Sequence, residues 1–219
     1  MSVEIDPAPV TTPEEFVSFI NGVGFCLWQR SVRFPGLPSL EAATPWDGDT
    51  HALFHNTWFW KDDLHIEKRL YYGQILGSGI AVFASREMLP YLIAAQGDND
   101  ARTLYEKNRL THAALTVYEH IERNGATASN QLPVDPKERP KTLVPLQQRF
   151  LLTKHGLTGR TRGTYGYIWG LSEEHFPDAF SAAGRLRVEA GRQRVRQHFA
   201  DHGTPLTDKQ AEKLFHWTE

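Results

Sequence analysis

Apolar positions recur at helical spacing in several stretches of this chain and alternate in others. Phe16, Phe19 and Ile20 share one face of a segment that opens with Thr12 as cap, Pro13 in the first turn and Glu15 three residues on. That pattern predicts a helix ending near Gly22 or Gly24, after a disordered lead-in over residues 1–12. Phe25 to Trp28 reads as a short strand, residues 38–43 as a short helix and Thr57 to Trp60 as an extended aromatic stretch. Residues 68–76 are amphipathic in either period. Residues 80–85 are strand-like and residues 86–96 helical up to Gly97.

The pattern then changes. Thr111 caps a helix whose apolar face is Ala114, Leu115, Tyr118 and Ile121, closed by Gly125. A polar turn over residues 126–132 leads into a segment holding Pro133, Pro136, Pro140 and Pro145, too many for one long straight helix. The favoured reading starts the next helix near Pro145, buries Leu146, Phe150 and Leu151, and caps it at Gly156. The alternative places the helix earlier, followed by a strand over residues 150–157. Thr158 to Gly163 is a turn, and Tyr165, Tyr167 and Trp169 alternate along a strand. Residues 177–202 read as one long helix, and Thr207 with Gln210 forms a capping box that opens a last helix through Trp217.

The fold class that follows is α+β. A winged helix-turn-helix over 103–177 is preceded by a mixed α/β region over 1–102, itself readable as an incomplete winged helix, and followed by a helical tail over 178–219. The partner such a module most often takes is duplex DNA.

Charge sharpens that picture. The 219 residues carry a formal net charge of −2, but unevenly. Between Lys137 and Arg162 seven bases face Glu138 alone, and Arg185, Arg187, Arg192, Arg194 and Arg196 follow with only Glu189 among them. Local positive charge on a near-neutral chain suits a phosphate backbone, and it equally suits a solvated helix face. Neither a membrane-length apolar run nor a signal-peptide core is present, and Cys26 is the single cysteine. A cytoplasmic protein without internal disulfide, metal or cofactor is expected.

Short motifs carry a resemblance across most of the chain: Val23-Gly-Phe-Cys26, Pro38-Ser-Leu40, Trp58-Phe-Trp-Lys-Asp62, Tyr71-Tyr-Gly73, Leu110-Thr-His-Ala-Ala114, Gly166-Tyr167, Phe176-Pro177 and Arg194-Val-Arg-Gln-His-Phe199. Gly203-Thr-Pro-Leu-Thr207 with Ala211 and Phe215-His-Trp217 extends it. In these the chain resembles small bacterial proteins related to the YcaQ/AlkZ winged-helix DNA glycosylases. The resemblance implies DNA repair as the setting and a Gln-x-Gln or Gln-x-Asp pair after the first helix for positioning water. This chain has Cys26 and Trp28 at those places, with Gln29 beside them. DNA binding without cleavage, in regulation or as a repair accessory, is the expectation. A glycosylase for alkylated or crosslinked bases with a relocated catalytic group is the alternative, and a protein-interaction module a third reading.

Candidate residues follow. Lys141, Gln147, Gln148, Arg149, Lys154, Arg160 and Arg162 are the candidate DNA contacts, the glutamines and arginines being able to bond base edges or phosphates. Trp58, Trp60, Tyr71 and Tyr72 suit either an aromatic pocket for an extruded base or ordinary core packing. Asp62 is the candidate base or orienting carboxylate, with Asp63 beside it; such a pair also caps helices. Asp49, His51, His55 and His65 make a conceivable metal set, and Cys26 among apolar neighbours reads as an inert buried thiol.

Overall fold

A computed structural model describes residues 9–44, 50–77, 79–97 and 99–217, of which residues 50–57 are described by their backbone alone. It is an α+β fold with two small antiparallel sheets. Thr12 caps α1 (Pro13–Val23) with the full reciprocal box, and Phe16 and Ile20 are its buried face. Val10, inside the lead-in expected to be disordered, is instead buried, with its N–H on the Ala43 carbonyl.

Strand β1 (Phe25–Leu27) pairs with β3 (Val82–Ala84), which also pairs with β2 (Tyr71–Gly73). Every residue of the three strands is buried, because alternate side chains enter two different cores. Cys26, Tyr72 and Phe83 pack with Phe16, Ile20 and Trp28. Phe25, Tyr71 and Val82 face a larger cluster. Helix α2 (Leu40–Ala43) is capped by Ser39.

Helix α3 (Thr50–Ile66) corrects the extended reading of residues 57–60. Aromatic strand propensity yields there to a helical face on which Lys61, Leu64 and His65 are buried together. Helix α4 (Leu89–Ala94) then packs against two later helices. Those are α9 (Pro177–Ala183) and α10 (Val188–Asp201), so the single long helix expected over 177–202 is broken between Gly184 and Arg187. At the crossing, a Cβ on Gly191 would lie 2.7 Å from the Ala95 nitrogen, and Arg192 donates from Nε to the Ala95 carbonyl at 3.1 Å.

Helix α5 (Ala101–Glu106) precedes α6 (His112–Asn124), which is capped by Thr111 and closed by Gly125. Strand β4 (Thr127–Ala128), α7 (Arg139–Gln148), β5 (Leu152–Gly159) and β6 (Gly166–Leu171) follow, the strands lying in the order β4-β6-β5. The helix expected from Pro145 thus begins earlier. Pro140 sits harmlessly in its first turn and Pro145 is tolerated near its end, as in the alternative reading. Phe150 turns the chain at φ 53, and Gly156 lies at a register shift within β5 rather than at a helix cap.

After the short α8 (Ser172–His175), the chain returns to the N-terminal region. Phe199 and, from α11 (Asp208–Phe215), Leu214 and Phe215 join Phe25 and Tyr71 in one core. The region from Ala101 to Trp169 keeps a core of its own around Val117, Ile121 and Leu146. Among the described residues no helix is long and apolar enough to cross a membrane.

Candidate functional site

Helix α3 and the β5–β6 hairpin meet at a cluster of buried polar groups. Lys61 and Asp62 are 0% and 1% exposed, and Nζ lies 2.6 Å from Asp62 Oδ2. Nζ also donates to the hydroxyls of Tyr165 at 2.8 Å and Tyr167 at 3.2 Å, so the three hydrogens of an ammonium are all engaged. Tyr165 donates its own hydrogen to Asp62 Oδ2 at 2.6 Å, which leaves Tyr167 as the donor in the 2.8 Å contact between the two phenols. Burial pulls Lys61 below the ordinary lysine value while Asp62 opposes that shift. Burial first and Asp62 second push the Tyr167 phenol up. The other oxygen, Asp62 Oδ1, is buried with no hydrogen-bond partner among the described residues. A native orphan of that kind is uncommon and costly.

Aromatic rings surround the lysine. Nζ lies 4.4 Å over Trp58, 5.5 Å over Trp28 and 5.3 Å over Tyr72. Those three rings wall one side of an open cleft of about 390 Å³, whose other lining includes Gln29, Arg30 and Gln74. A second lysine, Lys154 of β5, places its Nζ 3.7 Å over the Tyr72 ring and 4.8 Å from the Tyr167 centroid. Burial, and then the Lys61 charge, pull it well below the ordinary lysine value. Beneath this layer His65 accepts from the Tyr72 N–H at 2.9 Å and meets the Thr153 hydroxyl at 3.0 Å. His175 stacks on His65 at 5.1 Å and lies tilted against His155 at 4.7 Å. His65 and His175 are both held below the ordinary histidine value, chiefly by burial.

The candidate DNA contacts separate into two groups. Lys141, Arg160 and Arg162 are exposed, Lys141 beside Glu138 and Arg160 in a two-pronged ion pair with Asp63. Gln147, Gln148, Arg149 and Lys154 are buried. Gln147 accepts from the Gln74 N–H, and Gln148 donates to the Leu76 carbonyl at 3.2 Å. These side chains tie α7 to the segment after β2. Arg149 is brought to about 10 by burial, with Arg109 adding to the shift. In the second basic run Arg185, Arg187 and Arg194 are exposed, while Arg196 pairs with Glu189 and Asp208.

The four aromatics divide as well. Trp58 and Tyr72 line the cleft, Trp60 packs at the edge of the N-terminal core, and Tyr71 points away into the larger core against Phe150 and Phe176. Asp49, His51 and His55 lie outside the residues whose side chains are described, and His65 has both ring nitrogens engaged. Among the described residues no cluster of three metal-ligating side chains occurs. Cys26 is fully buried, and burial raises its thiol.

A sequence model of the family described as AlkZ related matches residues 10–216. The chain belongs to the AlkZ-related family. Nothing among curated proteins or solved structures matches it. In this AlkZ-related chain, Asp62 is the one candidate catalytic residue that the fold brings into the cluster. Lys61, Tyr165 and Tyr167 were not among the sequence candidates. The spacing of Trp58, Lys61, Asp62 and His65, one face of a helix, was the available signal.

Proposed function

We propose that the protein binds duplex DNA and cleaves the base–sugar bond of a damaged nucleotide, using Asp62 in place of the glutamine pair. The order α6, β4, α7, β5, β6 with a β4-β6-β5 sheet is read as a winged helix, with the β5–β6 turn as its wing. Lys141, Arg160 and Arg162 are its exposed phosphate contacts. The cleft beside Trp28, Trp58 and Tyr72 offers stacking surfaces to an extruded base. The buried Asp62 carries this reading. Its Oδ2 is held by Lys61 and Tyr165, and its Oδ1 is buried without a hydrogen-bond partner among the described residues, behind the Trp58 and Tyr72 wall of the cleft. In this reading a water or a developing sugar cation takes that lone pair once a base enters the cleft. Alkylated or crosslinked duplex should yield abasic sites with the wild type and not with Asp62→Asn. Unaltered DNA across a lesion panel sinks the cleavage step.

A second reading, binding without cleavage, is favoured by the places where the glutamine pair is expected. Cys26 and Trp28 stand there, 0% and 9% exposed, and neither side chain suits the positioning of water. This reading expects a salt-dependent shift of duplex DNA that weakens with Arg160→Ala and Arg162→Ala, and no abasic product. Absence of any shift at low salt overturns both readings.

A further inference from the structure

We propose that Lys154 is a nucleophilic amine that condenses with an aldehyde admitted through the aromatic cleft. The two lysines of the cluster differ in one decisive respect. Lys61 spends all three hydrogens on Asp62, Tyr165 and Tyr167. Lys154 Nζ lies over the faces of Tyr72 and Tyr167, and no oxygen among the described residues accepts a hydrogen bond from it, so the ring faces and the Asp62 charge alone oppose the loss of its proton. Both amines share those two rings, Lys61 lying 5.3 and 5.7 Å from the same centroids. A lysine in an apolar, desolvated setting beside another cation is the arrangement that frees an amine lone pair at neutral pH. The depressed value of Lys154 agrees with this geometry. Tyr72 stands between amine and cleft, its ring under Lys154 Nζ and its side chain in the cleft wall. Lys154 is 6% exposed and is not itself part of that wall, so the aldehyde reaches it past the Tyr72 ring.

In the step itself the Lys154 lone pair adds to the aldehyde carbon and the carbonyl pair moves onto oxygen. The oxygen collects the two protons that the amine gives up and leaves as water, so that a C=N bond replaces C=O. Atoms and electrons balance with no co-reactant. The substrate class is an aldehyde of the kind an opened deoxyribose presents, and only this choice of source rests on the DNA reading above.

Borohydride trapping tests the proposal on the whole protein. One arm receives duplex DNA with a single abasic site and the other glycolaldehyde, and peptide mass spectrometry maps the reduced adduct. The expected result is an adduct on Lys154 in both arms, lost in Lys154→Arg while a thermal melt shows that variant folded. Mapping in the wild type keeps the test decisive if the variant does not fold. An adduct on Lys154 from glycolaldehyde alone upholds the amine and removes DNA as the aldehyde source. Adducts confined to other lysines, or none in either arm, overturn the proposal while leaving the binding and cleavage assays above unaffected.

Discussion

In the sheet β1-β3-β2 every strand residue is buried, whereas along the β5–β6 hairpin burial fades from Leu152 towards an exposed turn. Both sheets have three antiparallel strands. The first separates two apolar cores and shows almost nothing but hydrophobic surface to either. The second runs from a core at Trp169 out to solvent at Arg162, and Lys154, Tyr165 and Tyr167 lie along that gradient. Polar groups on it are desolvated enough to be shifted yet remain near an opening. A sheet sealed on both faces contributes stability, and a sheet that crosses from core to surface can carry chemistry.

Substitutions in the first sheet and in the polar cluster at the hairpin should separate these roles. Phe83→Ala empties a fully buried site between Phe16 and Trp28, and urea titration should show a loss of about 3–5 kcal/mol. Lys61→Ala should cost a comparable ~3–5 kcal/mol, because it strands the Asp62 carboxylate. The double change Lys61→Met with Asp62→Leu should recover most of that loss. If the double variant stays as unstable as the single one, the ion pair is not the source of the cost. Tyr165→Phe removes the hydroxyl that bonds Asp62, Lys61 and Tyr167 but leaves the ion pair in place, and should cost less, about 1–3 kcal/mol, again by urea titration.

Acid should act through the histidines. His175 and His198 are held at about 4, mainly by burial, against an ordinary value of 6.5. The folded chain therefore binds fewer protons than the unfolded one between those values. Stability is complete above pH 6.5 and declines as pH falls towards 4. Melting temperatures at pH 7.5, 6 and 5 should fall in that order, and a flat profile would contradict the burial of both rings. The smallest effect belongs to the hairpin turn. Arg160→Ala breaks an exposed pair with Asp63 and should change stability by less than about 1 kcal/mol, measurable by urea titration and smaller still at high salt.

Local signals were legible where a side chain answers its own backbone. The caps at Thr12, Thr111 and Thr207 and the strand at Tyr167 and Trp169 all stand where the sequence places them. Long-range partners were not legible. Nothing within a few residues of Lys61 announces that Tyr165 and Tyr167 will bond to it, because tertiary packing of α3 against the hairpin brings them there. Packing of α7 against the segment after β2 hides Gln147 and Gln148, whose polarity suggests solvent but whose amides pair with backbone groups of Gln74 and Leu76. Residues 57–60 show the opposite limit. Their strand propensity is a weak preference, and burial of a helical face overrides it.

The shared core of β1–β3 with the later helices has a consequence for synthesis. Phe25 and Phe34 lie against Phe199, and Phe199 against Phe215, so the first sheet lacks much of its packing until those residues have left the ribosome. The core on its other face, around Phe16 and Phe83, draws only on residues made before them, so synthesis completes the two faces of this sheet at different times. The segment around Val117 and Leu146, with a core of local sequence range, is equipped to fold before the later face closes, while the earlier strands wait on a nascent chain that needs protection from aggregation.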